Sequence, residues 1–207
     1  MATVITIAQQ KGGAGKTMLA ANLAAAFAPT RRTVLLDIDP QHTLARWHAL
    51  RLAQPAAAVG FSEVAGWRIA GELDRLRREY EVVVIDSPPQ IDTDARRAIR
   101  VADLVVIPVQ PSGPDLWAAE GTFALTASEK RQAVMVMNRA PTATRLREKA
   151  EADIRASGHT LLTASLGNRA AYVKAFARGL GVIEAAPKSV AAAEMAALMA
   201  AIHLLLP

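Results

Sequence analysis

Two lysines, Lys11 and Lys16, lie five positions apart in the stretch AQQKGGAGKTMLAANLAAAF, which runs from Ala8 to Phe27. A glycine-rich loop of this kind can turn several backbone N–H groups inward and form a nest for phosphate oxygens. In such a loop Lys16 would contact the terminal phosphates, and the Thr17 hydroxyl would ligate Mg²⁺. The segment therefore predicts nucleotide binding by Gly12, Gly13, Ala14, Gly15, Lys16, Thr17 and Met18. The alternative is a tight glycine turn followed by an incidental Lys-Thr pair.

Carboxylates follow two apolar runs. Asp37 and Asp39 lie in TVLLDIDPQHTLARWH, where they end the run and precede a helix that carries Trp47. Asp86 ends the apolar run of YEVVVIDSPPQID. Ligands of open α/β sheets bind at the carboxyl ends of the strands, so these acids are candidates to act at one site. Asp86 suits a Mg²⁺ partner held through water or through Thr17, although an apolar run followed by Asp is common in isolation.

A polar pair, Asn138 and Arg139, ends the run AVMVMNRAP. From the residues alone, Asn138 can be an Asn that caps a turn before Pro141.

Short β-branched runs alternate with longer Ala/Leu/Arg segments. Predicted strands are Thr3–Ala8, Thr33–Ile38, Glu81–Ile85, Leu104–Val109, Ala133–Met137 and Thr160–Thr163. Predicted helices are Lys16–Ala28, Ala65–Glu79, Asp94–Val101, Asp115–Ser128, Thr142–Ser157, Asn168–Arg178 and Ser189–Leu206. Alternation of this length predicts a doubly wound, mostly parallel α/β sheet with helices on both faces, within a single domain of residues 1–207. Gln54–Gly60 is predicted to be a loop or a short edge strand.

Composition excludes several classes of site. The 207 residues contain no cysteine, so a disulfide framework or a thiolate metal site is excluded. The four histidines show no metal-ligand spacing. No secretory signal is recognisable at the N-terminus, and the Ala-rich tail contains Glu194, so a cytoplasmic protein is expected.

Positive charge is concentrated in the second half of the chain. The formal net charge is +5, and residues 130–178 contain ten Lys/Arg against three Asp/Glu. This excess suggests a basic face for an anionic partner. The alternative is a set of ordinary solvated helix surfaces.

The phosphate loop departs from the usual G-x-x-x-x-G-K-[ST] pattern, because Gln10 occupies the position of the first glycine and Lys11 follows it. The resulting K-G-G-A-G-K-T resembles the deviant Walker A motif of the ParA/MinD family of ATPases. D-I-D-P-Q resembles the switch I of that family, and D-S-P-P resembles its Walker B and switch II. The stretch LGNRAAYVKAFARGLGVIE, Leu166–Glu184, is also similar to the C-terminal part of the family.

The resemblance implies a P-loop NTPase that hydrolyses ATP to ADP slowly with Mg²⁺. Lys11 would reach across a homodimer to the nucleotide of the partner subunit. Asp39 would orient the attacking water, and Asp37 would lie near Mg²⁺ through its water shell. Lys11, Lys16 and Asp39 are therefore the catalytic candidates, and Asn138 with Arg139 would contact the adenine. Met18 replaces a second Thr, and His42 replaces the usual glycine of switch I. An N-terminal helix-turn-helix extension is expected to be absent.

Three uses of this kind of ATPase compete. An iron–sulfur scaffold would need a C-x-x-C, which is absent. Membrane targeting needs a basic amphipathic tail, but no Lys or Arg follows Lys188. The expected function is therefore partitioning of a plasmid, chromosome or protein-complex cargo on the nucleoid, with non-specific DNA binding and a ParB-like or cargo adaptor that stimulates hydrolysis. Candidate DNA contacts are Arg145, Arg147, Lys149, Arg155, Arg169, Lys174 and Arg178. A MinD-type switch that acts at a membrane or only through a protein partner stays the alternative.

Overall fold

The computed structural model describes residues 2–90, 93–141 and 145–206. Seven strands form one sheet in the order β3-β2-β4-β1-β5-β6-β7, and every neighbouring pair is parallel. The strands are β1 Thr3–Ile7, β2 Thr33–Asp37, β3 Val59–Glu63, β4 Val82–Asp86, β5 Leu104–Val109, β6 Gln132–Ala140 and β7 Leu161–Gly167. The predicted doubly wound α/β fold is confirmed, and the sheet is parallel throughout.

Helices connect these strands. They are α1 Lys16–Phe27, α2 Thr43–Arg51, α3 Ile69–Glu79, α4 Thr93–Arg100, α5 Gly113–Ser128, α6 Arg145–Ala156, α7 Ala170–Phe176, α8 Val182–Ala185 and α9 Val190–His203. The predicted beginning of α6 at Thr142 lies outside the described residues. The segment predicted as a loop or edge strand overlaps β3 only at Val59 and Gly60.

The sheet is buried on both faces by apolar side chains that alternate along each strand. In β6, Val134 and Val136 pack with one group of helices, whereas Met135 and Met137 pack on the opposite face. Helices α1, α2, α7, α8 and α9 cover the first face, and α3, α4, α5 and α6 cover the second. Central strands such as β4 are buried at every position, which explains their continuous apolar sequence.

Helices α7, α8 and α9 follow β7 and form the C-terminal layer of the fold. A buried ion pair joins this layer to α2. The Arg51 guanidinium donates to both carboxylate oxygens of Glu184, with Nη2–Oε1 at 2.7 Å and Nη1–Oε2 at 2.9 Å. Arg51 also donates to the carbonyls of Ala57 and Gly179. The backbone of Gly179 passes so close to α2 that an added Cβ would lie 2.6 Å from the carbonyl carbon of Leu50. This junction holds the end of α2 against the segment that contains Gly179 and Glu184.

In the described part of the chain, no helix has the length and apolar character needed to cross a membrane.

The junction predicts a difference between two glycine substitutions. Gly179→Ala should lower the free energy of unfolding by about 2 kcal/mol more than Gly158→Ala, because the new methyl overlaps the backbone of α2. Both glycines have positive φ, +71° and +75°, but Gly158 has open space around it. Gly158→Ala therefore isolates the conformational cost, about 1–2 kcal/mol. Urea unfolding of both variants measures the difference, and equal losses would contradict the close contact.

Candidate nucleotide site

The phosphate loop joins β1 to α1 at the carboxyl edge of the sheet. Gly13 and Gly15 have φ of 78° and 92°, so the loop uses backbone conformations that other residues adopt with strain. Gly15 is the N-cap of α1 and provides no side chain to cap it. The N–H groups of the first turn are thus available to an anion, where the helix dipole also favours negative charge.

Lys16 is buried at the start of α1, with 6% of its surface exposed. Burial lowers the pKa of its amine, and the nearby carboxylates Asp86 and Asp39 oppose that shift. A buried ammonium group is stable only beside negative charge. The surroundings of Lys16 are therefore suited to hold it against an anionic ligand.

Asp37 and Asp86 end the adjacent strands β2 and β4, and the strand register places them side by side. Burial, with the charge of Asp37 as a smaller contribution, raises the pKa of Asp86 to about 8, and the Thr17 hydroxyl opposes this shift. Burial also raises the pKa of Asp37 to about 6, while the backbone N–H of Asp39 opposes the shift. Two neighbouring carboxylates that are shielded from water repel each other when both are ionised.

The same carboxylates fit a divalent cation. Among the described residues, no hydrogen bond of good geometry reaches either oxygen of Asp86 or Oδ2 of Asp37. Unpartnered buried carboxylate oxygens beside a threonine hydroxyl form the hard-oxygen set that Mg²⁺ prefers. Thr17, Asp37 and Asp86 would therefore hold magnesium, either directly or through its water shell.

Asp39 organises the turn that leads into α2. Its Oδ1 accepts from the backbone N–H of Gln41 at 3.0 Å, and its own N–H donates to Oδ1 of Asp37 at 3.0 Å. His42, where the family pattern has glycine, adopts φ of 52°, and its Nδ1 lies 3.0 Å from Oε1 of Glu63. The glycine-like conformation is thus kept, and the imidazole links this turn to the edge strand β3.

Asn138 is buried against the phosphate loop. Its Nδ2 donates to the carbonyl of Ala14 at 2.7 Å, and its Oδ1 accepts from the N–H of Arg139 at 3.0 Å. A Cβ on Gly15 would collide with this amide. In this structure the amide of Asn138 supports the loop, and its contact with adenine stays a prediction.

A cleft of about 370 Å³ opens above the loop. It is lined by Gly12, Gly13, Gly15, Lys16, Thr17, Met18, Asp39, Gln41, Thr43, Pro89, Arg139 and Phe176. The predicted Arg139 therefore faces the same space as Lys16. Phe176, from α7, was missed by sequence reasoning, since only the tertiary fold brings the C-terminal layer to the first loop.

Lys11 makes a contact that the sequence did not predict. Its Nζ lies 2.5 Å from Oδ2 of Asp115 in the first turn of α5. The Lys11 side chain is 38% exposed, whereas that of Asp115 is 2% exposed. The pattern Ser112-x-x-Asp115 is a helix-start signal that locates Asp115, but no sequence signal pairs it with Lys11.

The predicted DNA contacts do not form one face. Helix α6, with Arg145, Arg147, Lys149 and Arg155, packs on one face of the sheet. Helix α7, with Lys174, packs on the other face, and Arg178 lies in the turn that follows α7. Arg147 and Arg155 are paired with Glu151, and Arg169 donates to both oxygens of Glu194. Arg145, Lys149, Lys174 and Arg178 are exposed. The charge excess is therefore divided between two surfaces.

The family model described as the CobQ/CobB/MinD/ParA nucleotide binding domain matches residues 5–183. The chain belongs to this family. The maintenance of carboxysome distribution protein A of Halothiobacillus neapolitanus is 28% identical over 199 residues, which are 93% of this chain and 92% of that protein. The chromosome-partitioning ATPase Soj of Thermus thermophilus is 32% identical over 154 residues, 60% of each chain. An ATP complex of McdA from Cyanothece has a TM-score of 0.81 at 17% identity, covering 99% of this chain and 96% of that one.

The free energy of unfolding should depend on pH, because burial raises the pKa of Asp37 and Asp86. The folded state retains a proton on Asp86 up to about pH 8, whereas the unfolded chain releases it near pH 4. Between these values the folded state binds more protons, so stability falls as pH rises. Asp86→Asn should unfold with a free energy about 5 kcal/mol higher than wild type at pH 8, but only about 1 kcal/mol higher at pH 5.

The measurement is urea unfolding at both pH values in EDTA, without nucleotide. Asp74→Asn is the matched control, because Asp74 is exposed on α3. If Asp86→Asn were no more stable than wild type at pH 8, the buried, repelled carboxylate would be the wrong description of this site.

Proposed function

We propose that this protein is an ATP-dependent dimerising ATPase that binds DNA non-specifically as the ATP dimer and positions a cargo. The observation that carries the proposal is the second lysine, Lys11, at the rim of a phosphate loop that already contains Lys16. The names of two relatives, a carboxysome distribution protein and a chromosome-partitioning ATPase, support a positioning role. We treat residues 1–207 as a single ParA-like ATPase domain.

Different residues of the site would bind the phosphates, hold the metal ion, orient water and contact the base. The loop Gly12–Thr17 would hold the phosphates through its backbone, and Lys16 would neutralise their charge. Thr17, Asp37 and Asp86 would hold Mg²⁺, which supplies charge neutralisation at the phosphates when bound. Asp39, on the turn before α2, would orient water for hydrolysis to ADP and phosphate. Asn138 and Arg139 would form the base side of the pocket.

Lys11 couples ATP to dimerisation in this proposal. Its side chain starts at the open side of the loop and is partly exposed, so a partner subunit can approach it. Two nucleotides brought face to face repel each other, and an ammonium group from each subunit lowers that repulsion. The homodimer would therefore depend on the triphosphate.

DNA binding would use phosphate contacts that are insensitive to sequence. The best-placed candidates are exposed: Arg145 and Lys149 of α6, Lys174 of α7, and Arg178 in the turn after α7. Arg147, Arg155 and Arg169 are engaged by glutamates, so they would need to exchange partners. Two weak patches joined in a dimer would bind far more tightly than one.

Release would follow hydrolysis. A ParB-like or cargo adaptor protein would stimulate it, and ADP-bound monomers would then leave the DNA. In this cycle the protein would act in the cytoplasm, on the nucleoid.

The DNA step is tested with Asp39→Ala, which should retain the ATP dimer by slowing hydrolysis. We expect it to bind random-sequence duplex DNA with ATP but not with ADP or without nucleotide. Fluorescence anisotropy at about 50 and about 200 mM salt should show a loss of affinity on the order of 10³-fold at higher salt. Asp74→Ala is the control for loss of one acidic side chain. Absence of binding while the dimer forms would favour a MinD-type switch at a membrane or a protein partner.

The dimer step is tested with Lys11→Ala. This variant should bind ATP with near-normal affinity, because Lys16 and the loop remain, but it should stay monomeric. Sedimentation velocity with ATP and Mg²⁺ measures the oligomeric state, and Lys188→Ala, at an exposed lysine, is the matched control. A normal ATP dimer of Lys11→Ala would show that the assigned role of this lysine is wrong.

A further inference from the structure

Basic side chains are concentrated where the strands begin, at the edge of the sheet opposite the nucleotide cleft. They lie in the last turn of α3, in α4, and in the segments that lead into β2 and β6. The sheet order places the beginnings of β2, β4, β1, β5 and β6 side by side. We call this surface the amino edge. Its cations are Arg31, Arg32, Arg77, Arg78, Arg96, Arg100, Lys130 and Arg131. Four acids lie among them: Glu79, Glu81, Asp103 and Glu129.

The acids of the amino edge neutralise only part of its positive charge. Glu129 accepts from Arg96 at 3.0 Å and from Arg100 at 2.8 Å. Glu81 lies 3.5 Å from the guanidinium of Arg32. Among the described residues, no carboxylate lies at ion-pair distance from the other five cations, which are Arg31, Arg77, Arg78, Lys130 and Arg131. The amino edge therefore presents unneutralised positive charge to solvent.

Helix ends alone do not account for this charge. The C-terminal turn of a helix favours cations, which explains Arg77, Arg78 and Arg100 at the ends of α3 and α4. Lys130 and Arg131, however, lie in the turn between α5 and β6, outside any helix. Arg31 and Arg32 likewise lie between α1 and β2. The cations thus follow the edge of the sheet and not only the helix ends.

The layout of the amino edge fits the phosphates of a nucleic-acid duplex. The five strand ends from β2 to β6 are separated by four strand spacings, which together measure about 19 Å. One DNA strand carries about six phosphates over that length of helix axis. Seven of the eight cations are arginines, whose planar guanidinium group can bind two phosphate oxygens at once. The paired strands beneath them keep their positions fixed.

Other anionic partners fit this surface less well. A lipid surface or a protein interface would need exposed apolar side chains beside the cations. The large exposed apolar side chains of the described residues are Leu50, Leu52, Trp67, Trp117, Leu146, Val173, Val190 and Leu204. None of them lies in the segments that carry the eight cations. Charge without apolar anchors favours the phosphate backbone.

The amino edge stays accessible in the proposed dimer. That dimer brings two nucleotide clefts face to face, and each cleft opens at the carboxyl ends of the strands. The amino edge lies at the other end of the same strands, so the two amino edges of a dimer point away from each other. A dimer that binds one duplex through α6 and α7 therefore retains two further basic surfaces.

We propose that the amino edge is a second nucleic-acid surface, through which ATP dimers bound to one DNA duplex bind the phosphates of another and bridge the two. This inference rests on the proposed function, in which ATP dimers bind DNA without regard to sequence. One edge has few unpaired cations and binds a duplex weakly. Dimers that lie along one duplex present many edges together, so the weak contacts reinforce each other. Bridging then depends on ATP, although the edge does not touch the nucleotide.

The test measures capture of a second duplex by DNA-bound protein. Asp39→Ala, with ATP and Mg²⁺, is bound to a random-sequence duplex on beads, and a labelled duplex is then added in solution. The edge variant also contains Arg77→Gln, Arg78→Gln and Arg131→Gln. We expect capture to fall on the order of ten-fold, while the affinity for a single duplex, measured by fluorescence anisotropy, changes by less than about two-fold. The matched control contains Arg46→Gln, Arg68→Gln and Lys188→Gln, which remove three exposed cations elsewhere.

A variant of opposite sign complements the charge removal. Glu79 is an exposed acid at the end of α3 that pairs with Arg75 at 2.9 Å. Glu79→Gln adds one net positive charge to the amino edge, so capture should persist to a higher salt concentration than in the parent. All of these side chains are exposed, and thermal unfolding verifies that each variant is folded.

The outcomes separate this inference from the function beneath it. If the Asp39→Ala dimer binds no duplex at all, the proposed function fails and this inference with it. If it binds one duplex but captures no second, or if the edge variant captures as much as the matched control, only the inference is overturned. A parallel loss of affinity for the first duplex would show that the amino edge is not a separate surface. Binding to phosphatidylglycerol vesicles that is lost in the edge variant, with capture unchanged, would assign the edge to lipid instead. Loss of capture in the edge variant alone, with a gain in Glu79→Gln, supports the proposal.

Discussion

The site depends on one constraint: groups of opposite charge lie together, shielded from water, at the carboxyl edge of the sheet. Lys16, Asp37 and Asp86 are all buried. Desolvation lowers the pKa of Lys16 and raises the pKa of both carboxyl groups, so it favours the neutral form of each side chain. Such an arrangement is unfavourable in the protein alone and becomes favourable when phosphates and a cation complete it. The parallel strands are rigid enough to hold it, because they are buried on both faces and paired along their length.

The two lysines of the loop are governed by different parts of the fold. The charge of Lys16 is stabilised by Asp86, at the end of β4, and by Asp39, in the turn before α2. Lys11 forms an ion pair with Asp115 of α5. Different elements of the fold therefore contact the two lysines, although both belong to one short loop.

The C-terminal layer reaches the site from the opposite end of the chain. Phe176 of α7 lines the nucleotide cleft and its ring centroid lies 6.4 Å from that of Trp47 in α2. Arg51, one turn further along α2, is fixed by Glu184. The switch turn that carries Asp39 is thus followed by a helix that is anchored in the C-terminal layer. Through Trp47 and Arg51, α2 thus contacts the C-terminal part of the chain that carries two of the candidate DNA contacts, Lys174 and Arg178.

The sequence by itself determined the sheet class, the phosphate loop and the three switch carboxylates. Apolar runs buried on both faces are continuous in sequence, and the loop chemistry depends on residues that are close neighbours along the chain. Edge strand β3 was located poorly because most of its residues are only half-buried, so its sequence, VGFSE, lacks the continuous apolar run of the central strands. Only the tertiary structure brought Asp115 to Lys11, placed the Asn138 amide under the loop, and divided the basic residues between two faces. These contacts join distant segments through the packing of helices on the sheet, and no local spacing encodes them.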